Sequence, residues 1–103
     1  MLKAGSMAAT IDITRSHSLP IEDARKKAEE LAKGMAEKFG IEWKWDGDTI
    51  RFDAPKGTAK GTKGEVAVTD KTVRVAIDLP FMLRMLKGTI EGKVKEKLDA
   101  LVP

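Results

Sequence analysis

The chain of 103 residues contains no cysteine. That excludes disulfide scaffolds, zinc–thiolate sites and thiol nucleophiles, and it fits a reducing compartment. No apolar run approaches the roughly 20 residues that span a bilayer. The opening Met1–Met7 stretch lacks the apolar core of a signal peptide, so a cytoplasmic location is expected. Met7 is a candidate natural start. Residues 1–9 read as a flexible segment and residues 10–103 as one α+β domain.

Histidine is nearly absent as well: His17 stands alone, between Ser16 and Ser18. A serine nucleophile needs a base that is itself oriented, which adjacent loop residues rarely achieve. The simpler expectation is that His17 closes a strand-to-helix corner by hydrogen bonding. The carboxylates offer no better candidate. Glu42, Asp46, Asp53, Glu65 and Asp78 occupy the outward phase of strand-like segments, where carboxyls keep ordinary acidity and make poor general acids or bases. No helix carries histidine and glutamate at ligand spacing, and no Asp-rich loop resembles a calcium site. The expectation is a non-enzymatic protein with no metal and no cofactor.

Apolar residues make up 42% and charged residues 34%, a globular balance with a well-solvated surface. A chain this short can bury one core but has little left over for a deep substrate pocket. The formal net charge is +3. The excess lies in the 54–64 loop, with Lys56, Lys60 and Lys63, and in the last helix, with Arg84, Lys87, Lys93, Lys95 and Lys97. A polyanion could be favoured there, although mild basicity also serves solubility alone.

Alternation of polar and apolar residues marks the strands. Ile11 and Ile13 share a face in the first. Ile41, Trp43 and Trp45 alternate with charges, and Asp46-Gly47-Asp48 has turn chemistry. Ile50 and Phe52, then Val66 and Val68, then Val73, Val75, Ile77 and Leu79 continue the pattern. Between the first two strands, Ile21, Ala24, Ala28, Leu31, Met35 and Phe39 form one stripe of a helix over 20–39. Pro20 is expected in its first turn and Gly40 as its left-handed end. A second helix is expected from Pro80 to Leu101, with the stripe Leu83, Leu86, Ile90, Val94, Leu98 and Leu101. The order β-α-β-β-β-β-α predicts a curved antiparallel sheet with both helices on one face.

The loop Gly57-Thr58-Ala59-Lys60-Gly61-Thr62-Lys63-Gly64 does not fit a P-loop, because Thr62 stands where the second glycine belongs. It also joins two strands instead of opening a helix. It reads as a mobile hairpin loop. Trp43 and Trp45 share the phase of Ile41 and read as core, not as a base-stacking surface, which disfavours nucleic acid.

The start of the last helix is the oddest feature. Five of the six residues Phe81-Met82-Leu83-Arg84-Met85-Leu86 are apolar. At α-helical spacing Phe81 and Met85 fall off the stripe and touch each other, with Gly88 and Gly92 on the same flank. Two readings are open. Phe81, Met82 and Met85, bordered by Arg84 and Lys87, form an apolar contact for a partner, a second copy of the chain or a lipid-like surface. Alternatively, Phe81 and Met85 cap the sheet edge or touch the first helix, with the glycines permitting tight packing.

The chain resembles the polyhydroxyalkanoic acid system family, small bacterial proteins associated with the genes of polyester storage granules. The matching residues are His17-Ser18-Leu19-Pro20, Ala24-Arg25, Phe39-Gly40, Trp43-x-Trp45-x-Gly47-Asp48, Phe52, Gly64 and Leu86-Lys87-Gly88-x-Ile90-Glu91. They span roughly residues 10–101. The 55–63 loop departs from the family pattern, being longer and richer in lysine and glycine. The resemblance implies a bacterial cytosolic protein tied to polyhydroxyalkanoate storage. Its expected partner is the granule surface or a granule protein, and the expected contact is Phe81, Met82, Met85, Arg84 and Lys87. The alternative is a carrier of fatty or hydroxyacyl ligands, with Trp43, Trp45 and Phe52 lining a cavity between sheet and helix.

Overall fold

The computed structural model describes residues 10–57 and 59–101. The flexible segment expected at 1–9 lies outside the described residues, as does Thr58 of the loop. The elements run β1 (Ile11–Ser16), α1 (Ile21–Phe39), β2 (Glu42–Asp46), β3 (Thr49–Asp53), β4 (Lys63–Val68) and β5 (Thr72–Asp78). A 3-10 segment, Phe81–Leu86, then leads directly into α2, Lys87–Leu101. The five strands form one open antiparallel sheet in the order β1-β5-β4-β3-β2. The expected α+β class and element order are those observed.

Period-2 alternation produces an apolar inner face. The register sets Ile11, Ile77, Gly64, Phe52 and Trp43 side by side across the sheet, and Ile13, Val75, Val66, Ile50 and Trp45 beside them. Helix α1 lies over β2, β3 and β4, while α2 lies over β1. The alanines of α1 allow the close approach: Ala24, Ala28 and Ala32 are fully buried beside Leu31 and Met35. Gly40 ends α1 in the left-handed conformation at φ 71°, and its N–H donates to the Ala36 carbonyl. Pro20 is the N-terminal cap and not a residue of the first turn, since its ψ of 149° is extended. Without its own N–H it loses nothing there, and its carbonyl accepts from Ala24 N–H.

The outer face is an ion-pair lattice. Arg74 grips Asp12 with two hydrogen bonds of 2.9 and 2.7 Å, and Arg51 bridges Asp46 and Glu65. Hydrogen bonding from Arg74 holds the Asp12 carboxyl below the usual range, opposed by its partial burial. A carboxylate depressed in this way lends stability above its unfolded value and loses it as the pH falls through the folded value. Because the pair is solvated, Asp12→Asn is expected to lose less than about 1 kcal/mol near neutral pH. Urea unfolding of the two proteins should differ there and converge in acid. A difference that persisted in acid would assign the loss to packing instead.

Two expectations are corrected by the fold. The loop after β3 is not a loose hairpin loop. Ala54, Ala59 and Thr62 are buried, and four backbone hydrogen bonds (Ala54 to Thr62, Gly61 to Ala54, Lys60 to Gly57, Thr62 to Ala59) fold it onto the body. The last helix also does not begin at Pro80. Leu83 N–H bonds the Pro80 carbonyl and Lys87 N–H bonds the Arg84 carbonyl, both three residues back. That is the 3-10 pattern, with three residues per turn and side chains i and i+3 aligned. Met82 therefore aligns with Met85 and Phe81 with Arg84, while Phe81 and Met85 sit a third of a turn apart. The touching Phe81–Met85 pair expected on an α-helix does not arise.

Candidate functional site

The 3-10 segment turns its apolar side chains away from the body. Phe81, Met82 and Met85 are 83%, 84% and 91% exposed, and Leu86 is 50% exposed. Only Leu83 of the segment packs on the core. This overturns the reading in which Phe81 and Met85 cap the sheet edge or touch α1. Leu86, half exposed and absent from the core cluster, also leaves the expected core stripe. Gly88 and Gly92 face open space: a Cβ added at either would meet nothing within 4 Å. The glycines thus serve no internal packing and leave the neighbouring flank of α2 bare.

Charges border this patch unevenly. Lys87 reaches Glu91 at 3.7 Å, and Lys95 reaches the same carboxylate at 3.5 Å. Arg84, between the methionines, makes only a long contact of 3.4 Å to the Leu79 carbonyl. Among the described residues no carboxylate pairs with it. The arrangement is an apolar knob with a cation in its middle and a half-neutralised lysine at its edge. Such a surface suits an apolar layer with anionic or polar groups at its boundary.

The three side chains expected to line a cavity, Trp43, Trp45 and Phe52, occupy different surroundings. Trp45 is held by α1: its indole N–H donates to Glu29 at 2.8 Å, and the Arg25 guanidinium stacks 4.1 Å from the ring centroid. Arg25 is fixed in turn by the Gly47 carbonyl and Asp48. The Trp45 N–H, helped by Lys33 and Arg25, holds the Glu29 carboxyl below its usual range. Both the polar edge and one face of this indole are therefore committed to joining helix and sheet. Trp43 borders an open groove at the β2 edge with Lys44 and Arg51. Phe52 alone of the three lines a small apolar cavity, together with Phe39, Ile41, Thr62, Leu83 and Ile90. Sequence periodicity missed Thr62, Leu83 and Ile90 as pocket residues because they come from a loop and two helical segments that no single period relates.

His17 has a structural position. Its Nδ1 accepts from Leu19 N–H at 3.1 Å, so Nε2 carries the proton and donates to the Thr69 carbonyl at 2.9 Å. It ties the corner between β1 and α1 to the β4–β5 turn, as the sequence reading expects. Neither nitrogen is left for a serine. Lys56, Lys60 and Lys63 are exposed along the 54–64 loop. Among the described residues no helix is long and apolar enough to cross a membrane. No group of three histidine or acidic side chains there could hold a metal ion.

No curated protein and no solved structure matches the chain. A family model described as polyhydroxyalkanoic acid system protein matches residues 11–102, which takes in every strand and helix among the described residues, the exposed 3-10 segment included. The chain belongs to the polyhydroxyalkanoic acid system protein family.

Proposed function

We propose that this protein is a non-enzymatic, cytoplasmic component of polyhydroxyalkanoate storage that docks on the granule surface through the 3-10 segment. The observation that carries the reading is the exposure of Phe81, Met82, Met85 and Leu86 in one short stretch. An exposed apolar cluster of this kind marks a contact surface more often than it marks chance. The family supplies the context in which an apolar surface is at hand. A storage granule presents an apolar interior beneath a polar coat, the same physical problem as a membrane interface. Side chains that insert, with Arg84 and Lys87 at the boundary, answer it. A second copy of the chain or a granule protein would use the same side chains.

Co-sedimentation of the purified protein with isolated granules tests the reading. Binding that survives high salt is the expected result, since apolar contact is not screened. Binding lost in salt would transfer the contact to the lysines of α2 or the 54–64 loop and remove the 3-10 segment from it. No binding at either salt would overturn granule docking.

A further inference from the structure

We infer that Met82 and Met85 form a paired oxidation site, at which hydrogen peroxide turns the docking segment from apolar to polar and releases the protein from the granule. The release rests on the docking reading above; the selectivity of the oxidation does not. The chain has five methionines and no cysteine, so no thiol competes for a two-electron oxidant. Met82 and Met85 are 84% and 91% exposed, whereas Met35, on the core face of α1, is 4% exposed. Met1 and Met7 lie outside the described residues. The 3-10 winding aligns the two exposed thioethers, three residues apart, on one side of the segment. Leucine at either position would offer apolar surface of similar size without an oxidisable sulfur.

The step needs nothing from the protein beyond the sulfur itself. A sulfur lone pair attacks one peroxide oxygen, so that an S–O bond forms and the O–O bond breaks. The proton on the transferred oxygen passes through solvent to the departing oxygen, which leaves as water. Sulfur is oxidised by two electrons and the peroxide is reduced by two, giving methionine sulfoxide. In water the sulfoxide disturbs the fold little, because these side chains make almost no contact with the core. In an apolar layer its oxygen has no donor to pair with. Each such oxygen weakens association by about tenfold or more, and two together weaken it on the order of 100-fold. Sulfoxide reductases reverse the change, and exposure leaves both side chains within their reach.

Hydrogen peroxide treatment of the folded protein, read by peptide mass spectrometry and by co-sedimentation with granules, tests both parts. Met82 and Met85 are each expected to gain one oxygen, on the order of tenfold or more faster than Met35. The oxidised protein should bind granules on the order of 100-fold more weakly, unfold in urea as before, and regain binding after treatment with sulfoxide reductases. A protein carrying Met82→Leu and Met85→Leu keeps the apolar surface, so it should sediment like the unaltered protein both before and after peroxide. Oxidation of Met35 as fast as Met82 and Met85 would overturn the site. So would undiminished sedimentation once both are sulfoxides, or a release that the double-leucine protein shows equally. These failures leave granule docking standing, whereas unoxidised protein that does not sediment overturns docking and the release with it, and mass spectrometry still decides the oxidation site.

Discussion

Replacing Phe81 and Met85 together by serine is expected to release the protein from granules without shifting its unfolding transition. At 83% and 91% exposure these side chains make almost no contact with the core. Their loss should therefore change stability by no more than about 0.5 kcal/mol, the usual range for surface positions. Docking changes their environment completely. Each side chain taken from water into an apolar layer contributes about 1.5–3 kcal/mol, so losing both weakens association on the order of 100-fold or more. Met82 and Leu86 remain, which sets a floor under residual binding. The check pairs co-sedimentation with urea unfolding of the same variant. Undiminished sedimentation by an intact fold would rule the 3-10 segment out as the contact.

A comparable loss, this time in stability, is expected from Gly64→Ala. Gly64 sits at the middle of the inner row, paired with Phe52 on one side and Ile77 on the other. A Cβ there would lie 2.3 Å from the Ala76 carbonyl oxygen, 2.8 Å from Phe52 Cζ and 3.0 Å from Ile77 Cα. The phenyl ring of Phe52 can swing away, but the two backbone atoms cannot move without parting β4 from β5. Overpacking of this kind destabilises by about 1–3 kcal/mol, and a backbone clash belongs at the upper end. For a domain of about 100 residues that lowers the melting temperature by roughly 10 °C or more. Phe52→Leu in the Gly64→Ala background should restore part of the loss, because it relieves the ring contact and leaves the carbonyl contact. An unchanged melting temperature in the single variant would mean that the strands are not packed this tightly at Gly64.

The two positions differ in how far the sequence foretells them. The apolar excess of Phe81–Leu86 is visible in the sequence, and so is the ambiguity between a contact surface and a sheet cap. What is not visible is the 3-10 winding. Whether an N–H reaches three or four residues back changes no residue's polarity, yet it separates Phe81 from Met85. Gly64 is one of the residues that carry the family resemblance, but in the sequence it is a glycine among several in a loop-and-strand stretch, with nothing to say what it packs against. Its meaning comes from Phe52, which the β3–β4 register lays across it. The tryptophans show the same limit from the other side. Their phase with Ile41 places them on the inner face, but Glu29 and Arg25, the partners that commit Trp45, come from a helix well upstream in the chain.

By itself the sequence determined the local periods: alternation for the strands, the three-and-four stripe of α1, the Gly40 stop, and the absence of chemistry that needs thiols or paired histidines. Family membership, too, was legible, because it rests on the order and spacing of residues. Tertiary structure alone decided that β1 joins β5 at the far edge of the sheet, that the 54–64 loop folds inward with Thr62 beneath it, and that four large apolar side chains remain in water. The physical reason is that a period records which face of an element is apolar, whereas burial depends on what other elements have room to cover. With α1 over one half of the sheet and α2 anchored by Val94 and Leu98, no element among the described residues covers the 3-10 segment.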